Sequence, residues 1–221
     1  MDNPKLISIG DLFKKSFDFY KDKLYVIITL ALMPFANFVV ISLAFEIINR
    51  IHDVIFVASL GLLISILGLF SIFINLWVQI AFFYAIKEKD IKTDAKSLLL
   101  LSWNKIWSYS WVAFLTGIIF VAGFILFIVP GIIFSIWFSL SSYVFVWEDL
   151  RGMKALYRSK ELVKGYWWAV FGRFFVFGLI AFIISIIPVI GPLVNIFFTM
   201  PLGIIYGYFI YEDLKKIKQI N

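Results

Sequence analysis

Few side chains in this 221-residue chain are equipped for chemistry. The single histidine, His52, stands beside Asp53 and close after Glu46. A zinc site needs several convergent ligands, and one imidazole with two carboxylates is read as surface residues, with no metal site. The absence of cysteine rules out disulfides, thiolate metal sites and a cysteine nucleophile. Ser16, Ser102 and Ser159 could serve as nucleophiles only beside an activating base. Sequence places no histidine or lysine to do that, so they are assigned to close helix packing. No phosphate-binding loop, nucleophile elbow or His-Glu-x-x-His motif is present. The expectation is a protein that is not an enzyme and needs no cofactor.

Two further groups have chemistry of another kind. Asn37, Asn75, Gln79 and Asn195 lie within apolar runs, where interhelical hydrogen bonds are their economical role. Asn75 and Gln79, at i and i+4, share a helix face and are the candidates for a polar pathway. Gly203 and Gly207 form a GxxxG pair, which suggests close packing within the chain or in a dimer. Arg151, Lys154, Arg158 and Lys164 form a cationic set suited to anionic lipid headgroups.

These groups must be positioned by membrane elements. The chain is 62% hydrophobic and 15% charged, with a mean hydropathy of +0.97, outside the composition of soluble domains. Charge-free runs cover Leu24–Phe45, Val54–Ile86, Ile106–Trp147 and Phe174–Tyr211, of 22, 33, 42 and 38 residues. At about 20 residues per crossing, these runs hold six spans: one, one, two and two. The prediction is an all-α polytopic bundle forming a single integral membrane domain over residues 1–221. Spans 3 and 4 are expected to turn at Pro130-Gly131 and spans 5 and 6 near Pro188 to Pro192, with Pro201 bending span 6. Spans 3 and 4 are short enough that a re-entrant hairpin over 112–147 stays open beside full crossing.

Nineteen of the twenty Lys and Arg residues fall on one side of this topology and Arg50 alone on the other. That places both termini in the cytoplasm and the chain in the inner membrane. The basic excess then reflects topology and attraction to anionic lipid, and no nucleic-acid partner is expected. Trp103, Trp107, Trp111, Trp147, Trp167 and Trp168 fall near the cytoplasmic interface as an aromatic belt. No ionisable residue is expected inside a span apart from Glu46, near the outer end of span 1.

Three interfacial amphipathic helices are predicted, over 8–24, from Thr93 or Asp94 onward, and over 152–168. They align on one serine: Leu12-Phe13-Lys-Lys-Ser16, Leu98-Leu99-Leu-Leu-Ser102 and Ala155-Leu156-Tyr-Arg-Ser159. Nine residues after each serine stands an aromatic, Tyr25, Trp111 or Trp168. Each hairpin closes on aromatic and acidic residues, as in Trp147-Glu148-Asp149 and Tyr211-Glu212-Asp213. The unit is a short helix, two spans and an acidic stop, repeated over about 8–90, 94–149 and 152–213. Parallel units of this kind often surround an axis along the membrane normal.

Ile128-Val-Pro-Gly-Ile-Ile-Phe-Ser-Ile-Trp-Phe-Ser-Leu-Ser-Ser-Tyr143, Gly152-Met-Lys-Ala-Leu-x-x-Ser159 and Leu162-Val-Lys-Gly-x-Trp-Trp168 together resemble the membrane domain of bacterial glycerophosphodiester phosphodiesterases and related six-span proteins. The resemblance covers about 125–175. In that family hydrolysis belongs to a separate soluble barrel, so the resemblance implies architecture and a lipid-related role and transfers no catalytic residue. Three functions compete. The first is a non-catalytic scaffold, accessory or lipid-interacting module, with membrane lipids and a protein partner or second copy as its company. It requires a dry interior. The second is a channel or transporter for lipid or small solute, which requires a wet cavity lined by Asn75 and Gln79. The third, an embedded hydrolase, lacks a nucleophile–base pair.

Overall fold

A computed structural model of the chain describes residues 6–51, 54–88, 94–188 and 190–220. Among these residues every regular element is helical. His52 and Asp53 lie outside them. Glu46 pairs with Arg50 at 2.8 Å in an exposed, one-turn ion pair.

Helix α1 spans Ile9–Asp22 and begins on Ser8, whose hydroxyl oxygen accepts from the Asp11 N–H at 3.1 Å while donating to the Asp11 carboxylate at 2.6 Å. This reciprocal cap satisfies an otherwise orphaned first-turn donor. Two long helices follow, α2 (Leu24–Asn49) and α3 (Val54–Lys87). The short α4 (Ala95–Trp103) then leads into α5 (Ile106–Leu126), and α6 (Ile128–Phe138) continues as α7 (Ser141–Glu148) after a break. A third short helix, α8 (Met153–Val163), leads into α9 (Trp167–Ser185). The last crossing is built from α10 (Ile190–Val194), a π-helical turn at Asn195–Thr199 and α11 (Met200–Ile220). Six stretches are long and apolar enough to cross a membrane: Leu24–Ile48, Ser59–Lys87, Ile106–Leu126, Ile128–Glu148, Trp167–Ser185 and Ile190–Gln219.

Several boundaries differ from those expected. The turn between the third and fourth crossings falls at Phe127, whose backbone is extended, and not at Pro130-Gly131. Pro130 sits in the first turn of α6, where its missing N–H would have had no helical partner. Gly131 serves α5–α6 packing instead, because a Cβ there would overlap the Phe124 ring. The earlier turn lengthens the fourth crossing, and the third begins as far back as Ile106, so each has 21 residues, about 31 Å at helical rise, enough to span the hydrocarbon core. The helix expected over 152–168 stops at Val163, and Gly165 adopts φ +89° before α9 begins. Its predicted apolar face of Ala155, Leu156, Ser159, Leu162 and Val163 is buried. Helix α4 buries Ala95, Leu98 and Ser102 but exposes Leu100, Leu101 and Trp103, so its outer face is largely apolar.

Two of the three short helices pack alike. Helix α4 lies on α3 and α8 lies on α6 and α7, each against the crossing that precedes it. Helix α1 lies on α11, far along the sequence. Phe13 meets Tyr206 at 4.9 Å and Phe19 meets Phe209 at 5.9 Å between ring centroids. This contact joins the first and last hairpins. The second crossings converge on their charged ends, where Phe83, Tyr143 and Tyr211 form a chain of ring contacts at 5.0 and 6.1 Å. Trp147 packs within this cluster, 4.9 Å from Tyr208, and does not join an outer belt. Trp107 and Trp168 remain exposed.

Candidate functional site

Above the aromatic cluster the converging crossings leave a recess of about 400 Å³. Gln79 enters it from α3, Ser139 and Ser142 from the α6–α7 break, and Asn195 and Thr199 from the π turn. Counting along α3, Gln79 lies roughly 12 Å from Lys87 at the charged end. The Ser139 hydroxyl donates to the Ile136 carbonyl at 2.9 Å, and Ser142 shares a 3.3 Å contact with the Tyr109 hydroxyl. The Gln79 and Asn195 amides make no hydrogen bond among the described residues. The Thr199 hydroxyl oxygen is fully buried and also without a partner. Unpaired polar groups in an apolar section are costly unless water or a ligand reaches them.

The π turn that supplies Asn195 and Thr199 has a local cause. Pro201 has no N–H with which to bond the Phe197 carbonyl one turn earlier. The Met200 N–H instead reaches back to Asn195 O, and the wider turn frees Phe197 O to accept from the buried Tyr20 hydroxyl at 2.9 Å. Helix α1 therefore satisfies the defect that shapes the recess. Such π turns recur at functional positions.

The floor of the recess is closed. The Tyr143 hydroxyl donates to Ile204 O at 2.9 Å, and its ring crosses the face of α11 at Gly207. A Cβ on Gly207 would overlap that hydroxyl, while one on Gly203 would meet only the edge of Phe177. The GxxxG pair thus packs within the chain. Beyond the aromatic rings, Glu148 accepts from Arg158 Nε at 3.0 Å and from the Tyr211 hydroxyl at 2.9 Å, with Lys215 Nζ 3.5 Å away. These bonds tie α7, α8 and α11 beneath the recess.

Other predicted site residues have different surroundings. Asn75 does not line the recess; its amide donates to Ser71 O at 2.8 Å. Ser71 in turn donates to Asn37 Oδ1 at 2.7 Å, an α2–α3 bond. Ser16 and Ser102 are buried and donate within their own helices to Leu12 O and Leu98 O. Ser159 bridges the α6–α7 break, donating to Trp137 O at 2.7 Å and accepting from the Leu140 N–H at 3.2 Å. Of the cationic set, Arg151, Lys154 and Lys164 are exposed, whereas Arg158 is occupied by Glu148 and by Glu161 at 3.3 Å.

Arg173 departs furthest from expectation. It lies inside α9, is buried, and donates to Ala169 O at 2.8 Å and to Ile7 O. The Ile7 N–H is taken by Asp213 at 2.8 Å. A charge count along the sequence places Arg173 in a loop because the charge-free run begins only at Phe174. Its distant backbone partner at Ile7 leaves no local pattern that corrects this.

Among the described residues no cluster of histidine, aspartate and glutamate could hold a metal ion. Helices long enough to cross a membrane, gathered around a polar recess, define the class of protein by architecture. The chain belongs to the family described as a domain of unknown function, DUF8558, whose model matches residues 91–210, more than half of the chain. No curated protein and no solved structure matches it.

Proposed function

We propose that this chain is a non-catalytic, multi-pass inner-membrane module that binds a small polar solute in the central recess and passes it across the bundle. The observation that carries this reading is the pair Gln79 and Asn195, two amides without hydrogen-bond partners among the described residues on one cavity of about 400 Å³ in the apolar section, with the unpaired Thr199 hydroxyl buried in its wall. A scaffold with a dry interior has no use for them. The recess is closed by rings and by the Glu148 network on the charged side. The charge asymmetry supports cytoplasmic termini.

The threefold repeat belongs to the same proposal. Each unit of about 8–90, 94–149 and 152–213 has a short helix followed by two crossings. Packing of α1 on α11 parallels that of α4 on α3 and of α8 on α6 and α7. The aromatics nine residues after the serines, Tyr25, Trp111 and Trp168, are all exposed. Three such units around one axis would place their second crossings at the centre. The scaffold reading keeps one support, the exposed cations Arg151, Lys154 and Lys164, which suit headgroups of the cytoplasmic leaflet.

Because the chain has no cysteine, single cysteines report water access directly. Gln79→Cys and Asn195→Cys in proteoliposomes are expected to react with a membrane-impermeant thiol reagent, while the lipid-facing Leu63→Cys stays unlabelled. If positions 79 and 195 are as inert as 63, the recess is dry and the scaffold reading replaces this one.

A further inference from the structure

A second cavity, of about 440 Å³, lies on the flank of the bundle between α1, α9 and α11. Apart from Thr199, which it shares with the recess, and Lys14, its walls are apolar: Phe13 and Phe17 from α1, Ile180 and Ile184 from α9, Phe198 and Leu202 from the last crossing. Paired rings, Phe13 with Phe177 at 6.0 Å and Phe17 with Phe198 at 6.1 Å, make a firm lining. Ala181 leaves the groove open along α9. The volume is within the range of built ligand sites.

One cation lines this groove, Lys14. The other lysines of α1 are engaged: Lys15 pairs with Glu212 at 3.6 Å and Lys21 with Asp18 at 3.7 Å. Asp11 is held by the Ser8 hydroxyl. Among the described residues Lys14 therefore has no carboxylate within ion-pair distance, although Asp11 and Asp18 are its helix neighbours. An unpaired ammonium where an apolar groove meets the charged end matches one kind of occupant. We propose that this groove binds a single anionic phospholipid of the leaflet at the charged end, its phosphate on Lys14 and one acyl chain between α9 and α11. The groove adjoins the recess across Phe177 and Thr199, but the lipid site does not depend on the solute reading.

The test uses the full chain in nanodiscs containing a trace of phosphatidylglycerol or phosphatidylcholine with a photoreactive acyl chain, the adducts being mapped by peptide mass. Phosphatidylglycerol is expected to label α9 and the last crossing within 180–202 about fivefold more than phosphatidylcholine, the preference one lysine near a membrane surface supports. Lys14→Gln, an exposed change that leaves the packing intact, should abolish the preference. Ala181→Trp should remove the groove adducts while labelling elsewhere persists. Equal labelling by the two lipids, or a preference unchanged by Lys14→Gln, overturns the site. So does a groove found cross-linked to a second copy of the chain in place of lipid. Thiol access at Gln79→Cys reads the recess alone, so the two sites stand or fall separately.

Discussion

Ser16, Ser102 and Ser159 stand at matching places in three short helices but make different bonds. Ser16 and Ser102 return a hydrogen bond to a carbonyl of their own helix, whereas Ser159 supplies both a donor and an acceptor to the broken ends of α6 and α7. Removing Ser159 leaves a buried N–H and a buried carbonyl unpaired, a cost of about 1–3 kcal/mol per group. Ser159→Ala is therefore expected to lower stability in detergent by about 2 kcal/mol and Ser16→Ala by under about 1 kcal/mol. Denaturant unfolding of the two variants checks the order. The glycines rank in the same way. Gly207→Ala meets the fixed Tyr143 hydroxyl, and Gly203→Ala meets one edge of the Phe177 ring. Overpacking at Gly207 should cost about 2 kcal/mol, clearly more than at Gly203.

At the scale of elements, Glu148 is the joint among α7, α8 and α11. Its side chain is 15% exposed, against 68% for Glu161, the other carboxylate on Arg158. Glu148→Gln is expected to destabilise by about 1–3 kcal/mol, and Glu161→Gln by under about 1 kcal/mol, as for exposed pairs. Parallel thermal unfolding curves distinguish them. A neighbouring joint is pH-dependent. Asp149 ends α7 in the left-handed region, at φ 50°, and accepts from Lys105 at the start of α5 at 3.1 Å. That hydrogen bond and the lysine's charge hold its carboxyl below the ordinary 3.8. A depressed carboxyl contributes stability that is complete above its ordinary value and is lost as pH falls through the lower, folded value. Asp149→Asn, which tolerates the same backbone, should reduce the loss of stability below about pH 4. An acid titration followed by thermal unfolding at each pH reads this out.

For the whole molecule, the decisive contact is between the first helix and the last. Tyr20 to Phe197 O and the Phe13–Tyr206 ring pair bring residues far apart in sequence together, so that α1 completes the packing of the third hairpin. Paired cysteines replacing Phe17 and Phe198, whose rings lie 6.1 Å apart, should be joined by a short bifunctional thiol reagent within one chain. Absence of an intramolecular product, with both thiols reactive, would show α1 docked elsewhere. The same docking explains how a proline in α11 is accommodated: the carbonyl that Pro201 leaves unbonded is satisfied by a residue of α1.

The helical class, six stretches long enough to cross a membrane and the charged end all follow from local facts: apolar run lengths, and the cost of placing charge in hydrocarbon. The buried faces of α1 and α8 follow from 3.6-residue periodicity. Interhelical bonding at Asn37 and the polar character of Gln79 were legible in the same way, because a polar residue inside an apolar run needs a reason. What the tertiary structure alone decided is which polar residues meet. Asn75 and Gln79 share a helix face, yet Asn75 bonds its own helix while Gln79 faces the recess with Asn195 and Thr199. Arg173 acquired partners from residue 7, and Arg158 lost its freedom to Glu148. Periodicity fixes the face a side chain occupies on its own helix. The neighbour that face meets is set by long-range packing, which no local spacing encodes.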